Sequence, residues 1–200
     1  MVMRLSPVIP VLVVHDVAHA LPIAQALVAG GIRALEVTLR TPAALEAIAE
    51  MRKVPGAVVG AGTVLNAKDL AASLKAGASF IVSPGLTAPL ALAVAEAGVP
   101  FLPGVATAGD IMRGLDLGLS HFKFFPAEAA GGVQALKSLA APFYQARFCP
   151  TGGITRDAAA GWLSLESVLC VGGSWLVPAG APDTAVISAW AKEASAMARL

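Results

Sequence analysis

The chain has 200 residues, enough for one large domain or two small ones. Its hydrophobic fraction is 56% and its charged fraction 14%, against about 45–50% and about 25% for ordinary globular domains, so intrinsic disorder is excluded. Fourteen Lys and Arg against thirteen Asp and Glu leave a net charge of +1, which offers no basic face to nucleic acid or to a membrane surface.

The first apolar run, Val8–Val14, reads as a strand, followed by a helix from about Val17 to Ala29 that Gly30-Gly31 stops. Ala34–Leu39 reads as the second strand, and Pro42–Met51 as a helix with Thr41 as N-cap and Pro42 in its first position. Val58–Ala61 precedes a helix over Ala67–Ala76, with Asn66 as cap and Gly77 as stop. Phe80–Ser83 precedes a helix over Ala88–Ala97, between Thr87 and Gly98. Val99–Leu102 precedes a helix over Ala108–Leu117, between Thr107 and Gly118. Phe122–Phe125, the sixth strand, precedes a helix over Gly132–Leu139. Ala146–Cys149 precedes a helix over Arg156–Leu163 capped by Thr155. Val168–Val171, the eighth strand, precedes a last helix over Asp183–Ala198.

Eight strand–helix units in 200 residues, about 25 residues each, predict an α/β protein: a (β/α)8 TIM barrel near the lower size limit. An open doubly wound sheet is the competitor. Parallel strands buried on both faces account for the high apolar content. No linker appears, so residues 1–200 read as a single domain. Apolar runs are too broken to span a membrane, and the start MVMRLSPVIPVLVV carries no small-residue cleavage site. Cys149 and Cys170 lie in apolar stretches with no CxxC or Cys/His cluster. The expectation is a reduced, cytoplasmic protein without a metal site or cofactor.

Charged residues inside strands carry the chemical information, because burial there is costly unless they are satisfied. In Ala34-Leu-Glu-Val-Thr-Leu-Arg40, strand alternation puts Glu36, Thr38 and Arg40 on one face and Leu35, Val37 and Leu39 on the other. An exposed edge strand would also carry such a pattern, but a closed barrel has no edge. The polar face is therefore expected inside the barrel. In His121-Phe-Lys-Phe-Phe-Pro126, Lys123 stands between Phe122 and Phe124, unlike the other five lysines. An apolar surrounding disfavours an ammonium and favours the free amine that a Schiff-base nucleophile requires. A lysine snorkelling from a strand end is the alternative. His15, His19 and His121 receive no role.

Thr151-Gly152-Gly153 follows the seventh strand and Gly172-Gly173-Ser174 the eighth. Barrels commonly bind phosphate on these two loops, through backbone N–H groups. Gly60-Ala-Gly-Thr63 lacks dinucleotide-loop spacing. Ser83-Pro84-Gly85 supplies a rigid turn at the same mouth. Amine, carboxylate, arginine and phosphate cradle together suggest an imine-forming lyase acting on a phosphorylated keto acid.

The segments PVIPVLVV, ALVAGGIRALEVTLRTP, VGAGTVLN, SPGLT, FKFFPAEAAGG, RFCPTGGI and SVLCVGGSWLVP resemble the bacterial 2-keto-3-deoxy-6-phosphogluconate (KDPG) aldolases. These often also cleave 4-hydroxy-2-oxoglutarate (KHG). The resemblance runs from about Pro7 to Pro178. It implies a class I lyase on a (β/α)8 barrel, usually a homotrimer, which makes pyruvate and glyceraldehyde 3-phosphate in the Entner–Doudoroff pathway. It implies that Lys123 forms the Schiff base and that Glu36 moves protons. Arg40 and Thr63 would hold the substrate carboxylate. Gly152, Gly153, Gly172, Gly173 and Ser174 would line the phosphate site, and Pro84, Phe125 and Thr151 would shape the pocket. No nucleic acid or membrane partner is implied, only a small phosphorylated keto acid. Arg40 and Ser83-Pro84-Gly85 point away from the sister branch that acts on the galactonate epimer. A phosphosugar epimerase or isomerase, a barrel that binds phosphosugars without turnover and a metal-dependent pyruvate aldolase are the other readings.

Overall fold

The computed structural model describes residues 2–197. Among these, nine short strands alternate with eight α-helices. The strands are β1 (Val8–Leu12), β2 (Ala34–Thr38), β3 (Val58–Gly62), β4 (Ile81–Val82), β5 (Phe101–Leu102), β6 (Gly104–Val105), β7 (His121–Phe124), β8 (Arg147–Pro150) and β9 (Val171–Gly173). The helices are α1 (Ala20–Ala29), α2 (Ala44–Met51), α3 (Ala67–Ala76), α4 (Ala88–Glu96), α5 (Ala108–Asp116), α6 (Gly132–Ala140), α7 (Arg156–Leu163) and α8 (Thr184–Ser195). No helix among the described residues is long and apolar enough to cross a membrane.

All the strand pairs are parallel. Six strands form one curled sheet in the order β5-β4-β3-β2-β1-β9, and three form another in the order β6-β7-β8. The fifth strand of the sequence reading is thus split, and its second piece, β6, was not foreseen. Pro103 lies at the break. It has no N–H to give, but its carbonyl accepts from Lys123 N at 2.8 Å. The run therefore pairs with β4 before Pro103 and with β7 at and after it. At the other end, isolated parallel bridges link Phe148 to Val168 and Thr151 to Gly172.

Alternation along the strands builds two apolar layers. Val8, Leu12, Leu35, Val37, Phe122, Phe124 and Phe148 pack outward in the larger cluster, which includes the inner faces of the helices. Ile9, Ala34, Phe80, Val82, Leu102 and Cys149 form a second cluster on the opposite face of the strands. Met3, from a short 3-10 turn over Val2–Arg4, covers the N-terminal end of that cluster. The Phe80 ring reaches in because Gly60 has no Cβ to meet it.

Most helix starts follow the sequence. Asn66, Thr107, Thr155 and Asp183 each accept an N–H bond from the first turn of α3, α5, α7 and α8. Thr107 and Asp110 complete a reciprocal capping box. Gly77 closes α3 at φ +94°, a left-handed conformation that favours glycine. Four expectations need correction. Residues 17–19 form a 3-10 turn capped by Asp16, and α1 begins only at Ala20. Thr41 is not an N-cap: α2 starts at Ala44, and the Thr41 hydroxyl donates to Val14 O at 2.5 Å. Thr87 occupies the N-cap position of α4 but makes no side-chain cap bond. The last strand is Val171–Gly173 rather than Val168–Val171, because Ile9 and Pro10 pair with Gly172 and Gly173. Ala198, the expected end of the last helix, lies outside the described residues.

Candidate active site

Glu36 sits in the middle of β2, level with Val11 of β1 and Gly60 of β3. Lys123 sits in β7, level with Gly104 of β6 and Cys149 of β8. The two residues belong to different sheets and are 87 positions apart, yet their side chains meet. Lys123 Nζ donates to Glu36 Oε1 at 3.0 Å and reaches Oε2 at 3.4 Å. Their relative exposures are 5% and 3%, so water screens this ion pair little. Phe122 and Phe124 turn the other way, toward Phe148 and Trp162 at centroid distances of 6.1 and 6.2 Å. The aromatic neighbours in sequence are therefore not the surroundings of the amine. Lys123 is thus buried against a carboxylate rather than in a purely apolar site, and it snorkels nowhere.

Gly62 makes room for this pair, and Gly104, level with Lys123, makes room for the Pro84 turn. A Cβ on Gly62 would overlap Glu36 Oε1, and one on Gly104 would overlap the Pro84 carbonyl. The Phe125 ring lies 5.5 Å from Lys123 Nζ, a cation–π distance. Phe125 Cδ2 and Cε2 would stand 3.3 Å from a Cβ on Gly152, so the ring neighbours both the amine and the Gly152 turn. Thr151 is buried at the end of β8, with its Oγ1 3.8 Å from Cys149 Sγ. It packs against the bare Cα of Gly172.

The Gly152-Gly153 turn has φ of +105° and +79° at successive residues, which disfavours any side chain. Thr151 O accepts from Ala127 N at 2.8 Å, and Gly152 O accepts from Glu128 N at 3.0 Å. Each trans peptide sends its N–H opposite to its C=O. The N–H groups of Gly152 and Gly153 are thereby turned away from residues 127–128. Among the described residues the Gly153 N–H has no protein acceptor, while the parallel bridge between Thr151 and Gly172 directs the Gly152 N–H at Gly172 O. A free backbone N–H in such a glycine turn is a donor that an anion can use. Gly172 and Gly173 are strand residues rather than a loop, and exposed Ser174 follows them.

Thr63 follows β3 with φ +60°, the sole positive value at a non-glycine among the described residues. A β-branched residue held there is strained, and such strain clusters at functional sites. Arg40 departs from the sequence reading. β2 ends at Thr38, so alternation does not carry Arg40 onto the Glu36 face. It lies exposed in the following turn, with its backbone N–H on Thr38 O at 2.8 Å. Neither Arg40 nor Thr63 bonds the Lys123–Glu36 pair. Sequence reasoning also missed Gly62, Gly104 and a bond from Trp162 Nε1 to Glu128 Oε1 at 3.0 Å. The FPAE run could have flagged Glu128; nothing local flags its partner. Among the described residues, no three His, Cys, Asp or Glu side chains gather as a metal site needs.

Fold and site together define an α/β protein of curled parallel sheets that encloses a buried amine–carboxylate pair. A family model described as KDPG and KHG aldolase matches residues 1–190. The KHG/KDPG aldolase of Escherichia coli K12 is 57% identical over 181 residues, 90% of this chain and 85% of that protein. The crystal structure of the Zymomonas mobilis ZM4 KDPG aldolase with 3-phosphoglycerate is 65% identical, with a TM-score of 0.98 over 99% of this chain and 95% of that one. The Legionella pneumophila KDPG aldolase, captured with pyruvate as a covalent carbinolamine, is 45% identical, with a TM-score of 0.94 over 98% and 97% of the two chains. This chain belongs to the KDPG and KHG aldolase family.

Proposed function

We propose that this protein is a class I aldolase that cleaves KDPG to pyruvate and glyceraldehyde 3-phosphate, and KHG to pyruvate and glyoxylate. The observation that carries this reading is the buried contact between Lys123 Nζ and Glu36 Oε1 at 3.0 Å. A carboxylate in contact with an amine can take its proton and leave the free nucleophile. Lys123 then adds to the C2 ketone of the substrate to give a carbinolamine, and Glu36 returns its proton to the hydroxyl, which leaves as water and gives the iminium. Glu36 takes the proton of the C4 hydroxyl as the C3–C4 bond breaks. The electron pair moves into the iminium, and the aldehyde leaves. The resulting enamine takes a proton at C3, and hydrolysis releases pyruvate and restores the amine.

Arg40 and Thr63 hold the substrate carboxylate in this scheme. Arg40 is exposed and makes no other described side-chain bond, so its planar fork is available. Gly152, Gly153, Gly172, Gly173 and Ser174 hold the phosphate, which the free N–H of Gly153 favours. Pro84, Phe125 and Thr151 shape the pocket between. The bridges at Thr151 and Phe148 and the change of partner at Pro103 support closure of the two sheets into a single (β/α)8 barrel over residues 1–200. Family likeness favours a cytoplasmic homotrimer that serves the Entner–Doudoroff pathway. Pyruvate release from KDPG, read through lactate dehydrogenase and NADH, tests the activity. Cleavage is expected with EDTA present and to be faster than with the galactonate epimer. No pyruvate from either epimer or from KHG contradicts the proposal.

A further inference from the structure

The FPAE run after Lys123 carries a carboxylate, Glu128, that the mechanism above does not use. We propose that Glu128 is a positioning residue that sets the Gly152-Gly153 turn for the substrate phosphate. The proposal rests on the reading of that turn as a phosphate cradle.

Glu128 grips the turn in three ways. Its backbone N–H holds the Gly152 carbonyl at 3.0 Å, which aims the Gly153 N–H to the opposite side of the peptide plane. Its side chain lies against Gly153, where an added Cβ would stand 2.8 Å from Glu128 Cβ. Its Oε1 accepts from Trp162 Nε1 at 3.0 Å. Trp162 is 1% exposed and belongs to α7, the helix that leaves the turn. Glu128 thus ties the segment after β7 to the helix on the far side of the turn, 34 residues later. Without its carboxylate, the indole N–H of buried Trp162 loses its protein acceptor, and the turn loses its brace to α7. None of these three contacts involves the amine–carboxylate pair.

The test separates phosphate binding from chemistry. Glu128→Ala should raise KM for KDPG roughly tenfold, the scale of one lost hydrogen bond to a buried group. It should leave kcat, and KM for phosphate-free KHG, within about twofold of the parent. Glu128→Gln keeps an acceptor oxygen and should restore KM for KDPG. Trp162→Phe removes the donor and should copy Glu128→Ala, which keeps the test decisive if the alanine variant does not fold. Gly153→Ala serves as the check on the underlying reading: an unchanged KM for KDPG in that variant means that the turn does not hold phosphate. A raised KM in Gly153→Ala beside parental values in both Glu128→Ala and Trp162→Phe overturns the role of Glu128 alone. Equal losses on KDPG and KHG overturn it as well, because they would mark a general structural effect.

Discussion

At the scale of single residues, the buried charges among the described residues, Lys123 and Glu36, meet in one place. Removing two charges from water is costly, and the Lys123–Glu36 pair is worth that cost only if its contact is used. Glu36→Gln keeps the shape and removes the base. Turnover of KDPG should fall by about 10²–10⁴-fold, the usual worth of general acid–base help. Exchange of the pyruvate methyl protons with deuterium should slow in step; a parental exchange rate would show that Glu36 is not the base. Gly62→Ala reaches the same carboxylate from β3. The new Cβ would overlap Oε1, so the carboxylate must swing off Nζ. A misplacement near 1 Å costs about 10²-fold in rate, and a comparable loss of kcat is expected. Unaltered kcat would mean that the contact is not required. Lys123 and Glu36 were legible because a charge within an apolar strand stands out in sequence. The expected place of Arg40 on the Glu36 face failed because alternation holds only while the strand lasts, and β2 stops at Thr38. The Glu128–Trp162 bond was illegible because only the fold brings those positions together.

At the scale of elements, punctuation by Thr, Asn and Gly made the strand–helix period readable. Boundaries failed where a side chain had a better partner elsewhere. Thr41 could have capped α2, but its hydroxyl bonds Val14 O instead. The break between β5 and β6 came from the missing N–H of Pro103, a loss that becomes visible only once the neighbouring strands are known. The two threonine N-caps of α4 and α5 offer a direct comparison. Thr107→Ala removes a bonded cap and its capping box, and should destabilise by about 1–2 kcal/mol in urea unfolding. Thr87→Ala removes a side chain that makes no cap bond, and should cost clearly less. Equal costs would show that the box adds nothing to α5.

At the scale of the whole molecule, the two ends of the parallel strands differ in kind. The C-terminal end gathers the polar site residues. The N-terminal end is apolar, with a cavity of about 210 Å³ lined by Val2, Met3, Phe80, Phe101, Leu102 and His121. Burial first, then the positive charges of Arg147 and Arg4, hold His121 below the ordinary histidine value of 6.5. The unfolded chain therefore binds a proton near pH 6.5 that the folded chain refuses. Stability should fall as pH drops through 6.5 toward the folded value, and then level off with respect to this group. His121→Gln should remove that part of the slope when urea midpoints at pH 7.5 and 5.5 are compared. An identical slope in the variant would refute this account of His121.

The proposed chemistry is covalent: the ε-amine of Lys123 forms an imine with the keto acid. Pyruvate plus sodium borohydride, followed by peptide mass analysis, tests it most directly. The account predicts one reduced pyruvyl adduct on Lys123, formed with EDTA present, together with loss of aldolase activity. In Lys123→Arg the adduct should vanish and turnover should fall by at least roughly 10³-fold. An adduct on another lysine, or labelling that persists in Lys123→Arg, would contradict it.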